Sequence, residues 1–293
     1  MKRKKRKLSL TNVIIGSLLF LLALLCVFPI INIVAISFSE SAAAVAGRVV
    51  FLPVKPTVAS YTKIIAEGTF FRAFYISAIR VVLGTSLGML ILILTAYPLS
   101  KGVDQFRFRN VFMWIVIATM LFSGGLIPTF IMVKNYGLID SIWALILPML
   151  MSSYNAILLM NFFKGIPRQL DEAASIDGAN AWYIAFRIYV PLSLPALATI
   201  GLFTILGHWN DYFLGLIYIN KPENYPLQTY IRSLMLKMDF ATMTPDQIIE
   251  RAKVGNQTFN AAKIVVSMIP ILCIYPFLQR FFVHGLVMGA MKE

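Results

Sequence analysis

Apolar residues in this chain come in long unbroken blocks, and the polar positions mark the places where the chain turns back. Six blocks are legible, at 12–38, 70–98, 110–132, 141–163, 191–219 and 264–284. Each has about the 20 residues, or more, that an apolar layer about 30 Å thick requires of a helix. Lipid offers no partner for a free backbone N–H or C=O, so all six are predicted to be helices. Gly84 and Gly88 in the second block form a small-xxx-small pair of the kind that permits close helix packing.

Composition supports the pattern. Of 293 residues, 59% are hydrophobic and 13% charged, with a mean hydropathy of +0.77, well outside the range of a water-soluble domain. The fold class is therefore all-α and polytopic, a single membrane domain over 12–293 behind a basic head at 1–11. The start MKRKKRKLSL and the later SAAAVAGR have the flavour of a secretory signal, but the apolar run exceeds the ~7–15 residues of a signal core, which favours a retained anchor. Basic residues set the orientation. Lys2 to Lys7, Lys101, Arg107, Arg109, Lys164, Arg168, Arg187, Arg280 and Lys292 fall on one side, at higher density than the basic residues of the other, so both termini are expected in the cytoplasm. The net charge of +13 is mostly this topological signal. It suits contact of the head with anionic lipid, not nucleic acid, for which no basic soluble face exists. Cys26 and Cys273 lie inside apolar blocks and give neither a disulfide framework nor a metal spacing.

The longest inner loop, 164–190, is the polar exception. GIPRQLDEAASIDGAN reads as a short helix, with Pro167 near its start, Asp171 and Glu172 early, where negative charge suits the helix dipole, and Gly178 at its end. NAWYIAFRIYVP then reads as a second helix running to Pro191. Two uses fit: an interfacial helix dipping Ile166, Leu170 and Ile176 into the inner leaflet, or a docking element for another protein.

A resemblance speaks to that choice. Glu172-Ala173-Ala174, three residues, Gly178, nine residues, Ile188, one residue, Val190 and Pro191 resemble the EAA loop of membrane-spanning subunits of bacterial ABC importers, with Val190 where the family usually has Leu. AYPLSKG (96–102), GGLIPTFIMVKNYGLIDSIWALILP (124–148), NFFKGIPRQLDEAASIDGA (161–179), GHWNDYFLGLIYIN (207–220) and GLVMGAMK (285–292) are similar to its carbohydrate branch. The likeness implies a type I importer permease. Its helix of Glu172, Ala173, Ala174, Ser175, Ile176 and Asp177, with Gly178 as an elbow where a side chain would obstruct the turn, would dock on a dimeric ABC ATPase. It further implies a second homologous permease subunit, an extracellular or periplasmic solute-binding protein and an oligosaccharide substrate. ATP and Mg would be bound by the partner ATPase, and this chain would hold no cofactor and catalyse nothing. The residues agree, since no G-x-x-x-x-G-K-[ST] occurs. FSGGL at 122–126 has only a faint nucleotide-signature look inside an apolar block, where its glycines with Pro128 suit a helix distortion.

Charged groups inside a span face a bundle interior or a wet cavity, which makes Arg80, His208, Trp209, Asn210, Asp211 and Tyr212 the substrate-pathway candidates. At 1.5 Å per residue, Arg80 and Asp211 fall at a similar depth, roughly 12–15 Å below the outer boundary. Either they neutralise each other, or Arg80 faces the pathway and favours acidic sugars. Trp143, Trp209, Tyr212 and Phe213 suit either sugar stacking or helix packing. The outer segment 220–262, with PEN, TPDQ and GNQ turn signals, is where the resemblance would place a delivering protein. A proton-coupled carrier using His208 and Asp211 as a relay is the rival reading.

Overall fold

The computed structural model describes residues 10–236 and 256–290, and every regular element among them is helical. Helix α1 (Leu10–Ser37) has no buried residue in its most apolar stretch, and only its last turns pack against the chain that follows, through Ala35 and Asn32. Short helices α2 (Ser41–Val45) and α3 (Ala59–Ala66) lead to the 33-residue α4 (Gly68–Ser100).

The next three blocks are not straight. Helices α5 (Arg109–Leu121) and α6 (Leu126–Asn135) meet at 113°, and the bend falls at Phe122 to Gly125, where Gly125 has φ +83°. Helix α7 (Ile142–Ile146) continues into a tighter turn to Met149 and meets α8 (Ser153–Lys164) at 50°. After α9 (Arg168–Ile176), α10 (Ala181–Leu192) and α11 (Leu194–Asn210) cross at 85°. The block expected at 191–219 is thus interrupted at Ser193 and again at Asp211–Tyr212, before α12 (Phe213–Tyr218). A turn at Pro222–Asn224 and α13 (Leu227–Leu236) follow, and α14 (Asn256–Ala290) ends the described chain. Among the described residues three helices, α1, α4 and the Gln257–Pro276 stretch of α14, are long and apolar enough to cross a membrane alone, and each bent pair supplies up to one more. Of the outer segment expected at 220–262, the TPDQ signal lies outside the described residues, as does nearly all of the basic head.

Packing separates two units, 1–68 with 234–268 and 69–233 with 269–293. In the first, Ala35, Ala43, Ala44 and Val49 form a small core, and buried Lys263 reaches Glu67 at 2.7 Å. In the second, the later half of α4 packs with α5, α8, α9, α10 and α11 around Leu92, Ala96, Leu159, Phe163, Tyr189 and Ile200. Gly88 lets α4 come close to the turn between α7 and α8, because a Cβ there would stand 2.9 Å from the Leu150 carbonyl oxygen. Gly84 does the same against the His208 ring. The small-residue pair is a packing device here.

Candidate functional site

The 164–190 loop folds as two helices joined at a left-handed residue. Helix α9 begins after Pro167 and ends in a paired bond pattern: the Gly178 N–H donates to Ser175 O at 3.1 Å, and the Ala179 N–H to Ala174 O at 2.9 Å. This is the Schellman arrangement, which places its first non-helical residue in the left-handed region. Gly178 sits there with φ +80°. A Cβ on Gly178 would meet nothing within 4 Å, which corrects the expectation that a side chain would obstruct the turn. The requirement within this chain is backbone conformation, not space. Ala174 faces the core, while Glu172, Ala173, Ser175, Ile176, Asp177 and Gly178 are exposed, Ile176 at 86%. A hollow of about 580 Å³ lies beside the elbow, lined by Ala173, Asp177, Gly178, Asn180, Tyr183 and Arg187 among others.

What holds α9 in place was invisible in the sequence. Asp171, expected only to suit the helix dipole, is buried. Its Oδ2 pairs with the Lys101 ammonium and accepts the Tyr189 hydroxyl at 3.0 Å. Lys101 Nζ also lies 4.3 Å from the Tyr97 ring centroid and 4.1 Å from that of Tyr189, two cation–π contacts. Burial lowers the Lys101 pKa against the opposing pull of Asp171. Burial, and then Asp171, raise that of Tyr189. Within α10 the stretch Ile184–Tyr189 takes the wider π spacing, just before Pro191, whose missing N–H leaves the Arg187 carbonyl without its helical donor. Lys101 and Asp171 are 70 residues apart, and neither type nor spacing announces the pair.

The pathway candidates divide into two sets. Arg80 is fully buried, and its Nη2 donates to Asp211 Oδ2 at 2.7 Å and Leu145 O at 3.1 Å while Nη1 donates to Asp211 O at 3.1 Å. The structure thus contains the ion pair between Arg80 and Asp211. Trp209 is buried, edge-on to Phe74 with centroids 5.6 Å apart. His208 is 1% exposed, and neither ring nitrogen has a hydrogen-bond partner among the described residues. Asn210, Tyr212 and Phe213, by contrast, are exposed at the break after α11, as is Trp143 on α7. The Tyr212 carbonyl accepts the Thr229 hydroxyl at 2.9 Å. The guanidinium of Arg232, exposed on α13, lies 5.6 Å from the Tyr212 ring centroid. In the sequence Arg232 is only one of the scattered basic residues of the outer side, and nothing there marks it out. No group of three or more His, Cys, Asp or Glu able to hold a metal occurs among the described residues.

Comparison with known proteins agrees with this architecture. Residues 3–288 match the family described as binding-protein-dependent transport system inner membrane component. The chain is 38% identical over 97% of its length to the polygalacturonan/rhamnogalacturonan transport system permease protein YtcP of Bacillus subtilis (strain 168), covering 98% of that protein. It is 38% identical over 91% of its length to protein LplC of the same organism, covering 89% of it. A chain in the crystal structure of a bacterial ABC transporter involved in import of the acidic polysaccharide alginate superimposes with a TM-score of 0.83 at 31% identity, over 96% of this chain and all of that one. The chain therefore belongs to the inner membrane components of binding-protein-dependent transport systems, as a multi-pass protein of the bacterial cell membrane.

Proposed function

We propose that this chain is the permease subunit of an ATP-driven importer of oligosaccharides, coupled through α9 to a separate ABC ATPase dimer. The observation that carries the reading is an exposed helix, Glu172 to Asp177, whose opposite face is locked into the core by Ala174 and by Asp171 with Lys101 and Tyr189. A force applied to the exposed face reaches the spans through packed side chains and an ion pair. In this reading the chain has six spans with both termini cytoplasmic, a second related permease completes the pathway, and a solute-binding protein delivers substrate. ATP and Mg belong to the ATPase, and this chain performs no catalysis. Affinity purification in mild detergent should bring down an ATPase and a second permease. Gly178→Asp should insert into the membrane normally yet lose coupled ATP hydrolysis, and normal transport by that variant would overturn the docking assignment.

The substrate class we propose is acidic, uronic-acid-containing oligosaccharides. The relatives' names support it, and so does the exposed trio of Asn210, Tyr212 and Arg232. In this reading Tyr212 stacks on a sugar face, Arg232 meets a carboxylate, and Arg80 with Asp211 holds the break that presents them. Arg232→Gln should reduce uptake of acidic oligosaccharides more than of neutral ones; equal loss of both would remove the assignment. The proton-relay alternative has less support, because Asp211 is held by Arg80 and His208 makes no hydrogen bond to it.

A further inference from the structure

A cavity of about 340 Å³ opens where α4 and α8 end, lined in part by Lys101, Arg109, Lys164, Arg168, Asp171 and Tyr189. Four cations and one carboxylate face it, and the carboxylate is already paired with Lys101. Arg109 directs Nε and Nη1 at neutral acceptors, Leu99 O at 2.9 Å and Asn110 Oδ1 at 3.1 Å, so its charge meets no carboxylate among the described residues and Nη2 is left to donate. Lys164 and Arg168 form no ion pair among the described residues. Burial is the main cause that lowers the Lys164 pKa, and the neighbouring Arg109 charge lowers it further. Asp104 is exposed beside Gly102 at the rim and forms no ion pair among the described residues. A concave wall carrying excess charge of one sign concentrates counter-ions. The first turn of the nine-residue α9, which begins at Arg168, adds N–H groups at the positive end of its dipole.

We infer that this cavity binds a phosphate group, supplied either by the headgroup of an anionic phospholipid or by free phosphate. Arg109 and Arg168 offer planar donor forks suited to two phosphate oxygens, and Lys101 and Lys164 offer point charges. The position favours such a ligand: two apolar helices stop here and basic side chains begin, the level at which bilayer headgroups lie. A phosphate here ties the start of α9 to the ends of α4 and α8, so its occupancy sets how firmly α9 is seated. The inference concerns the charge arrangement alone and does not rest on docking to an ATPase.

The test uses the full-length chain without an ATPase, so its failure would leave the docking reading untouched. In detergent, inorganic phosphate should raise the melting temperature relative to chloride at equal ionic strength. In nanodiscs of mixed phosphatidylglycerol and phosphatidylcholine, native mass spectrometry should find phosphatidylglycerol preferentially retained. The double variant Lys164→Gln with Arg168→Gln should weaken whichever effect is present by roughly tenfold or more, as expected for loss of two charge-assisted contacts. Lys164→Arg should keep it, and Lys134→Gln, an exposed basic residue on α6, should not alter it. A phosphate effect lost in the double variant identifies free phosphate, and lipid retention lost in that variant without a phosphate effect identifies the headgroup. If neither effect occurs, or if both persist unchanged in the double variant, the inference is wrong.

Discussion

Two cation–carboxylate pairs anchor the second packing unit, and they are built on opposite plans. Arg80 is enclosed, its fork directed at the Asp211 carboxylate and at carbonyls of Asp211 and Leu145. Every one of those acceptors is fixed in direction, so the pair acts as a bolt. Lys101 instead rests between two aromatic rings with one carboxylate at its tip, on the wall of an open cavity. An ammonium over ring faces tolerates shifts that a fork cannot. The bolt lies beside the broken span after α11; the tolerant pair lies under the helix proposed to receive force. Rigidity and compliance are assigned to different ends of one unit by the choice between arginine and lysine.

The comparison breaks most visibly at the bolt. Asp211→Ala leaves a buried guanidinium without its carboxylate and should cost about 3–5 kcal/mol, read as a lower melting temperature in detergent. The double variant Arg80→Met with Asp211→Leu should recover much of that loss. If it melts no higher than Asp211→Ala, the pair is not what holds the region. Next in size is a swap test: Arg80→Lys should destabilise by about 1–3 kcal/mol, because a single ammonium cannot satisfy the same acceptors, whereas Lys101→Arg should be close to neutral. Equal costs for the two exchanges would erase the distinction drawn here.

Smaller effects sharpen it. Gly178→Val places a β-branched residue at φ +80° and should cost about 1–2 kcal/mol, with Gly178→Asn costing clearly less. If the two are equal in the isolated chain, backbone handedness is not the constraint. The smallest concerns Asp140, at φ +63°, whose carboxylate accepts the Asn220 N–H at 2.6 Å and the Lys221 N–H at 3.3 Å. The Asn220 backbone bond is the main cause of its lowered pKa. A depressed carboxyl pKa contributes stability that is present above the unfolded value, about 3.9, and is lost as pH falls through the folded one. The melting temperature of Asp140→Asn should therefore fall less than that of the parent as pH is lowered through this range. Parallel curves would assign Asp140 no such role.

The apolar blocks were legible because a membrane makes hydrophobicity nearly uniform around a helix, so length alone marks a span. The elbow was legible because left-handed backbone selects glycine, and Gly178 follows a capped polar helix. Arg80 and Asp211 were half legible: depth arithmetic put them at one level, but it did not say whether the guanidinium faced a carboxylate or open space. The bend at 113° had only Gly124, Gly125 and Pro128 to announce it, and the second break, at Asp211 and Tyr212, falls inside a run that reads as continuous. The Lys101, Asp171 and Tyr189 cluster left no trace, because three ordinary residues on three separate segments become a network only when the chain folds.

The widened turn at Ile184–Tyr189 carries one more consequence. Successive residues of an α-helix are rotated by about 100°, and a π turn fits an extra residue into its ring, so all that follows is displaced in azimuth relative to an unbroken α-helix. It is with this offset that the Tyr189 hydroxyl meets Asp171 and its ring meets Phe163 edge-on. An added or lost residue upstream in α10 would therefore act as a change of phase as well as of length, turning a different side chain toward the buried carboxylate. The wide turn sets the angular register between the elbow and the core.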